Sequence, residues 1–321
     1  MNEEEEECCG SGCNNCVLDR RLKKKPIDSG SFTNILNGNY VKFTIENIQK
    51  VTTSVYKISF QCSADEVTDN SVLEMPPGWY LQLRCQIQKI HQDSNSIFNE
   101  FTNFLSPEDF KSQLETQERH DKDTSSDYLS RPYTPINIDS GKLTFDILFK
   151  LEKFGKMSQL ITKFHPKDLV EFKGPYGDLV YHANTFKHLY LFSHGVAIAP
   201  LYSLISSILA NEADETFIHL FVCFGNITEI LLRDELVNLK QFWNLNASIY
   251  LAHEPGDIVN QVKFRETIHT ERLGVKNIKE LIRFQDEKSY FLICGTDKFT
   301  QEVCSSLRAL DISLENIFIF R

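Results

Sequence analysis

Apolar and polar residues alternate along Val41-Lys42-Phe43-Thr44-Ile45, again from Val55 to Phe60, and again from Tyr80 to Ile87. A period of two sends successive side chains to opposite faces of an extended chain, so each run predicts a strand with one buried face. Pro76-Pro77-Gly78 separates two of these runs as a turn. The strand rhythm extends from Tyr40 to Tyr181 with one break: Met157, Leu160, Ile161 and Phe164 fall at i, i+3, i+4 and i+7. That spacing predicts a helix between Gly155 and Phe164. From about residue 92 to 130 the chain is polar, and it is predicted to decorate the surface of a sheet or barrel. Beyond Phe186 strand and helix patterns alternate. Strands are predicted at His188–Ser193, Phe217–Phe224, Ala247–Ala252, Tyr290–Cys294 and Ile317–Phe320. Leu201, Leu204, Ile205, Ile208 and Leu209 form one helix face, with Pro200 expected at the first helical position. Phe299, Val303, Leu307 and Leu310 form another. This alternation predicts a parallel sheet covered by helices, so a β domain is followed by an α/β domain.

Composition changes this picture little. The chain has 321 residues, enough for two cores, with 41% hydrophobic and 24% charged residues. A formal charge of −10 argues against nucleic acid as a partner. No apolar run predicts a membrane span, because His194, Gly195 and Pro200 interrupt the most apolar stretch, His188 to Ala210. The acidic start, Glu3 to Glu7, is the reverse of a signal peptide. With nine cysteines and no secretory signal, reduced thiols are expected, in the cytoplasm or peripherally on a membrane. Residues 1–33 read as a tail carrying Cys8, Cys9, Cys13 and Cys16, with too little apolar surface to build a core. A structural zinc site wants two separated cysteine pairs, and one clear C-x-x-C is present, so no metal is assigned.

Three short segments carry chemistry. In Arg131-Pro132-Tyr133-Thr134, a guanidinium can pair with phosphate oxygens, a ring can stack on a flat heterocycle, and a hydroxyl can reach its nitrogen. Taken alone, the four residues also fit a strand end with a proline turn. Gly155-Lys156-Met157-Ser158 opens the predicted helix, where free N–H groups and a basic residue suit a pyrophosphate. An ordinary glycine-led helix start fits it equally. Gly174-Pro175-Tyr176-Gly177 reads as a turn.

These segments, in this order and spacing, resemble the NADH-cytochrome b5 reductases of the ferredoxin-reductase superfamily, over about residues 38–321. Ser193 to Pro200 is similar to that family's nucleotide loop, Thr228 to Leu236 to the segment after its second strand, and Cys294-Gly295 to its Cys-Gly-Pro loop. Cys294 to Thr300 and the tail Cys8 to Cys13 resemble the "reductase-like" branch. The resemblance implies an antiparallel β-barrel FAD domain over 38–183, with an insertion at about 92–130, then a Rossmann-like NAD(P)-binding domain over 186–321. It implies that Arg131 holds the FAD phosphates, that Pro132 and Tyr133 pack at the ring, and that Thr134 bonds near N5. It places Leu148 and Lys150 along the adenosine and phosphate side, and Gly155, Lys156, Met157 and Ser158 around the pyrophosphate. Gly195, Val196, Pro200 and Gly295 would frame the nicotinamide nucleotide, with Cys294 beside the nicotinamide and Phe320 beside the flavin. The implied function is hydride transfer from NADH to FAD, then single electrons to a haem protein such as cytochrome b5. His194, Val196 and Ala197 stand where the family has Gly, Thr and Gly, so the alternative is a flavin-binding scaffold with weakened nucleotide use. Glu254 is expected to favour NADH by meeting the adenosine ribose, against a rival phosphate clamp from Lys263 and Arg265.

Overall fold

The computed structural model describes residues 32–86, 128–282 and 288–320. The cysteine tail and most of the polar insertion therefore lie outside the described residues. In chain order the first half comprises β1 (Thr33–Asn34), β2 (Tyr40–Lys50), β3 (Val55–Cys62), β4 (Ser71–Val72), β5 (Tyr80–Gln86), β6 (Tyr128–Tyr133), β7 (Ile136–Asp139), β8 (Thr144–Lys150), helix α1 (Lys156–Ile161) and β9 (Leu169–Tyr176). Seven of these strands form one sheet in the order β6-β5-β9-β2-β3-β8-β7, and every pairing in it is antiparallel. β6 and β7 are the two ends of that ladder, yet only Thr134 and Pro135 separate them in the chain. Three residues reach at most about 11 Å, so the connection draws the ends together and curls the sheet toward a barrel.

The alternation read from the sequence is what fills this barrel. Phe43, Phe60, Phe145, Phe149 and Phe172 are buried in its core. Phe43–Phe145, Phe43–Phe172 and Phe60–Phe172 have centroids 5.0–5.6 Å apart at 64–86°, the edge-to-face geometry that ring quadrupoles prefer. Each buried ring contributes on the order of 2–3 kcal/mol. α1 delivers Met157, Leu160 and Ile161 to the same core, as its spacing predicts. The helix is shorter than the pattern, and Phe164 reaches the core from the turn beyond it.

Three boundaries differ from expectation. Ile35 and Leu36 are buried in the barrel core, so packing begins ahead of residue 38. β6 starts at Tyr128, within the stretch read as insertion up to 130. Gly174-Pro175-Tyr176 continues strand β9 where a turn was expected. A Cβ on Gly174 would lie 2.8 Å from Leu81 Cδ2 and φ is +152°, so close approach of β5 is what demands glycine there.

The second half comprises β10 (His188–His194), α2 (Ile198–Ala210), β11 (Phe217–Phe224), α3 (Arg233–Leu239), β12 (Leu245–Leu251), β13 (Ile268–His269), α4 (Val275–Leu281), β14 (Ser289–Cys294), α5 (Asp297–Arg308) and β15 (Ile317–Ile319). All six strands are parallel, in the order β13-β12-β11-β10-β14-β15. The chain thus winds outward from β10 in one direction and then restarts beside it in the other, the doubly wound arrangement. β10 is buried from His188 to Ser193 because helices cover both sheet faces. The apolar face of α2 is buried as predicted, but the helix starts at Ile198 and Pro200 is its third residue. A proline is tolerated there because first-turn N–H groups have no partner within the helix. Leu310 lies past the end of α5 at Arg308. Among the described residues no helix is long and apolar enough to cross a membrane.

The two halves share a core. Val55, Ile136 and Leu148 of the barrel belong to the same buried cluster as Leu201, Leu204 and Ile205 of α2. Gly78 N–H donates to Ser203 Oγ at 3.2 Å, and the Tyr202 hydroxyl donates to Asn137 Oδ1 at 3.4 Å.

Candidate functional site

Arg131-Pro132-Tyr133-Thr134 lies at the seam of the barrel, on β6 and the connection to β7. Arg131 is exposed, and its guanidinium donates to the Ser130 carbonyl at 2.8 Å. Pro132 is exposed on the same edge strand. Tyr133 is half-buried with its ring 4.6 Å from Phe149, and burial pushes its phenol well above the usual value. It therefore stays a neutral hydrogen-bonding group. Thr134 is half-buried in the connection itself.

α1 packs against β6 and brings its own first turn to this seam. Gly155 caps it, and the amides of Lys156, Met157 and Ser158 have no acceptor among the described residues. Met157 turns its side chain into the barrel core. The Ser158 hydroxyl accepts from Glu152 N–H at 2.9 Å. Lys156 is thus the side chain of the three left for a ligand, while the other two offer backbone. Neither Arg131 nor Lys156 has a carboxylate partner among the described residues, so two cations and three free amides converge without an internal counter-charge. A pyrophosphate fits that donor set. Lys150 pairs with Glu152 at 2.8 Å, an exposed contact that a stronger anion can displace. Leu148, by contrast, is buried in the cluster between the two halves.

The second cradle lies at the carboxyl ends of β10 and β14, where the winding reverses. Gly195 has φ +60°, and no atom lies within 4 Å of the place a Cβ would occupy. A side chain there would be strained and would project into the open crevice. Val196 and Ala197 complete a single 3-10 turn with Gly195 ahead of α2. Ser193 is fully buried, and its hydroxyl has no partner among the described residues. Cys294 is the β14 residue in register with Ser193, and burial pushes its thiol up to about 12. It is a thiol at neutral pH. Gly295 is required by Phe299, whose ring would lie 2.5 Å from a Cβ. The crevice fits a dinucleotide: it lies at the switch point, it has a side-chain-free approach at Gly195, and a buried hydroxyl there is unspent.

The two cradles meet. His194, at the end of β10, has its pKa lowered by partial burial first, then by Lys150 and Arg272. Its ring lies 5.7 Å from Phe299. Beyond it a cavity of about 950 Å³ extends past His194, Thr296 and Lys298 to Tyr250, His253 and Arg272. Phe320 follows β15 and sits on the other side of the interface, where a Cβ on Gly78 would be 3.3 Å from its ring.

Residues 120–181 match the family model of an oxidoreductase FAD-binding domain, and residues 191–305 that of an oxidoreductase NAD-binding domain. The chain is 26% identical over 331 residues to "NADH-cytochrome b5 reductase-like" of Homo sapiens, covering 98% of this chain and 92% of that protein. This chain carries an oxidoreductase FAD-binding domain and an oxidoreductase NAD-binding domain, and is similar over nearly its whole length to a protein named NADH-cytochrome b5 reductase-like.

The two cofactor domains follow one another in the order FAD-binding then NAD-binding. "NADH-cytochrome b5 reductase 2" of Debaryomyces hansenii is 40% identical over 199 residues, 59% of this chain and 66% of that protein. The fold is that of the cytochrome b5 reductase domain of Ulva prolifera nitrate reductase, with a TM-score of 0.65 at 18% identity, covering 90% of this chain and all of that one. A ferredoxin NADP+ reductase from Neisseria gonorrhoeae with bound FAD and NADP superposes at 0.60 with 13% identity, covering 88% and 98%.

Two expectations about nucleotide choice change. The Glu254 carboxylate accepts from Ile227 N–H at 2.8 Å, tying the loop after β12 to the loop after β11. Lys263 pairs with Asp234, and Arg265 lies over the Phe264 ring at 5.4 Å. Both candidate selectors are engaged in holding loops. Arg272 and Glu302, which line the cavity beside Lys298 of the Cys294 to Thr300 segment, drew no notice in the sequence because no motif or periodicity marks them.

Proposed function

We propose that this oxidoreductase takes a hydride from NADH onto FAD and passes single electrons to a haem protein such as cytochrome b5. The observation that carries the reading is the junction of the two cradles, where β8, which ends at Lys150, packs against the Gly195–Ala197 turn ahead of α2. FAD, when bound, supplies the conversion of one hydride into two separate electrons. The chain's own groups do the rest. Arg131, Lys156, Lys150 and the first amides of α1 hold the phosphates. Pro132 and Tyr133 shape the seam at the ring edge, and the Thr134 hydroxyl bonds beside the ring nitrogen that receives hydride. Gly195, Val196, Pro200 and Gly295 frame the nucleotide loop. Cys294 positions the nicotinamide as a neutral, half-buried wall, and Phe320 closes the interface. On this reading the flavin domain ends near 183 and the nucleotide domain begins near 186. The protein works inside the cell, in the cytoplasm or peripherally on a membrane.

His194, Val196 and Ala197 support a second reading, a flavin-binding scaffold with weakened nucleotide use. Adding NADH without air to the purified protein separates the two. Bleaching of the flavin band, followed by reoxidation on adding a haem protein, is the expected result. A band that persists supports the scaffold, and a protein that purifies without flavin sinks both.

A further inference from the structure

The cavity beside the nucleotide crevice has a charge pattern that the hydride-transfer reading does not explain. A dinucleotide whose phosphates lie at Gly195 carries its adenosine half toward β11 and β12, and that is where the cavity extends. Among the described lining residues Glu302 is the one carboxylate, and it is already paired with Arg272 across α5 and the segment before α4. Lys298 adds a second cation to the same wall. Glu254, the acid nearest in sequence to the β12 end, is turned away onto Ile227 N–H. A pocket that rejects a phosphorylated ribose needs an unpaired carboxylate aimed into it, and the described lining has none.

Magnitudes decide what the Arg272–Glu302 pair can do. Its two side chains are 60% and 44% exposed, and such a pair is worth less than about fivefold in an equilibrium. Charge-assisted bonds from a guanidinium to a phosphate are worth about ten- to a hundredfold. A phosphate entering the cavity therefore takes Arg272 from Glu302. Arg272 also acts electrostatically on His194 and Cys223, so its charge is felt at the ends of β10 and β11.

We propose that Arg272, released from Glu302 and assisted by Lys298, is the seat of a ribose 2′-phosphate, so that this reductase accepts NADPH as well as NADH. The proposal rests on the reading of the crevice as a nicotinamide nucleotide site. It assigns specificity to two residues outside the nucleotide loop. Glu302 acts as a stand-in anion, holding Arg272 in place when the nucleotide has no 2′-phosphate.

The test is calorimetric titration of the flavin-loaded full chain with 2′,5′-ADP and with 5′-AMP, which differ by the 2′-phosphate. In the wild type 2′,5′-ADP is expected to bind at least tenfold tighter. In Arg272→Gln the ratio of the two dissociation constants falls toward one, and in Glu302→Gln it rises about threefold or more. Stopped-flow flavin reduction by NADPH and NADH should follow the same order. Binding of 5′-AMP with no preference for 2′,5′-ADP overturns the proposal and leaves the nucleotide site standing. An equal loss of both probes in Arg272→Gln assigns that residue a purely structural role and overturns it too. If neither probe binds the wild type, the nucleotide reading itself fails and the proposal falls with it.

Discussion

Arg131 shows how a single side chain commits to a ligand. It lies exposed on β6, with one carbonyl contact and no acid partner among the described residues, so its charge is available to a ligand. Arg131→Ala should therefore leave folding unchanged and weaken FAD retention by about 2–3 kcal/mol, roughly a hundredfold. Flavin occupancy after dialysis measures it, and an undiminished occupancy removes Arg131 from the site. Cys294 shows the opposite economy. Its thiol titrates near 12 and that of Cys223 near 12, both raised by burial from an ordinary value of 9.0. The unfolded chain loses these protons as pH passes 9 while the folded chain keeps them, so their contribution to stability is complete below 9 and fades from 9 toward 12. Iodoacetamide at pH 8 should leave both residues unmodified on a timescale that labels exposed thiols, as peptide mass spectrometry would record. Rapid labelling of Cys294 would make it a reactive group and not a wall. The sequence announced the pair Cys294-Gly295. How deeply the thiol is buried depends on Ser193 coming into register from a strand a hundred residues earlier.

Elements were the most legible level. Period-two alternation identified β2, β3 and β5, each of which buries one face, and continuous apolar runs identified β10, β11, β12 and β14, which helices cover on both sides, all to within a few residues. Ends were less legible. Pro200 suits any position of a first turn, so its presence could not locate the start of α2. Cross-strand neighbours were not legible at all. His188 Nδ1 lies 3.2 Å from His219 Nε2 only because β10 and β11 run parallel in one register. His219 stacks on Tyr190 at 4.6 Å, and burial first, with His188 second, lowers its pKa from 6.5 to about 4. Below pH 6.5 the unfolded chain binds a proton that the folded chain refuses, so this strand pair loses stability as pH falls from 6.5 toward 4. Urea midpoints across that window should fall less steeply for His219→Asn than for the wild type. Parallel slopes would mean that other groups govern the acid limb.

At the scale of the whole molecule, the two halves behave as one because their interface is built like a core. Leu148, on the barrel, is 5% exposed and packs with Leu201, Leu204 and Ile205 of α2. Leu148→Ala should cost about 2–4 kcal/mol and lower a single transition seen alike by near- and far-ultraviolet circular dichroism. Two separated transitions would show that the halves are held more loosely than the packing requires. Family resemblance pointed to Leu148 as a lining residue. A strand's inward and outward faces are set by which partner covers them, and that partner is the helix of the other domain. The same limit applied to Glu254, whose carboxylate closes a loop contact with Ile227 that spans two βα units.

Pro132 has a consequence of another kind. It sits on β6, one end of the seven-strand ladder among the described residues, opposite Gln82. The end strand of a sheet is a template on which a second molecule can lay a strand. A proline on such a rim offers no N–H to an incoming strand. The residue at the seam thus also makes this rim a poor template for an incoming strand.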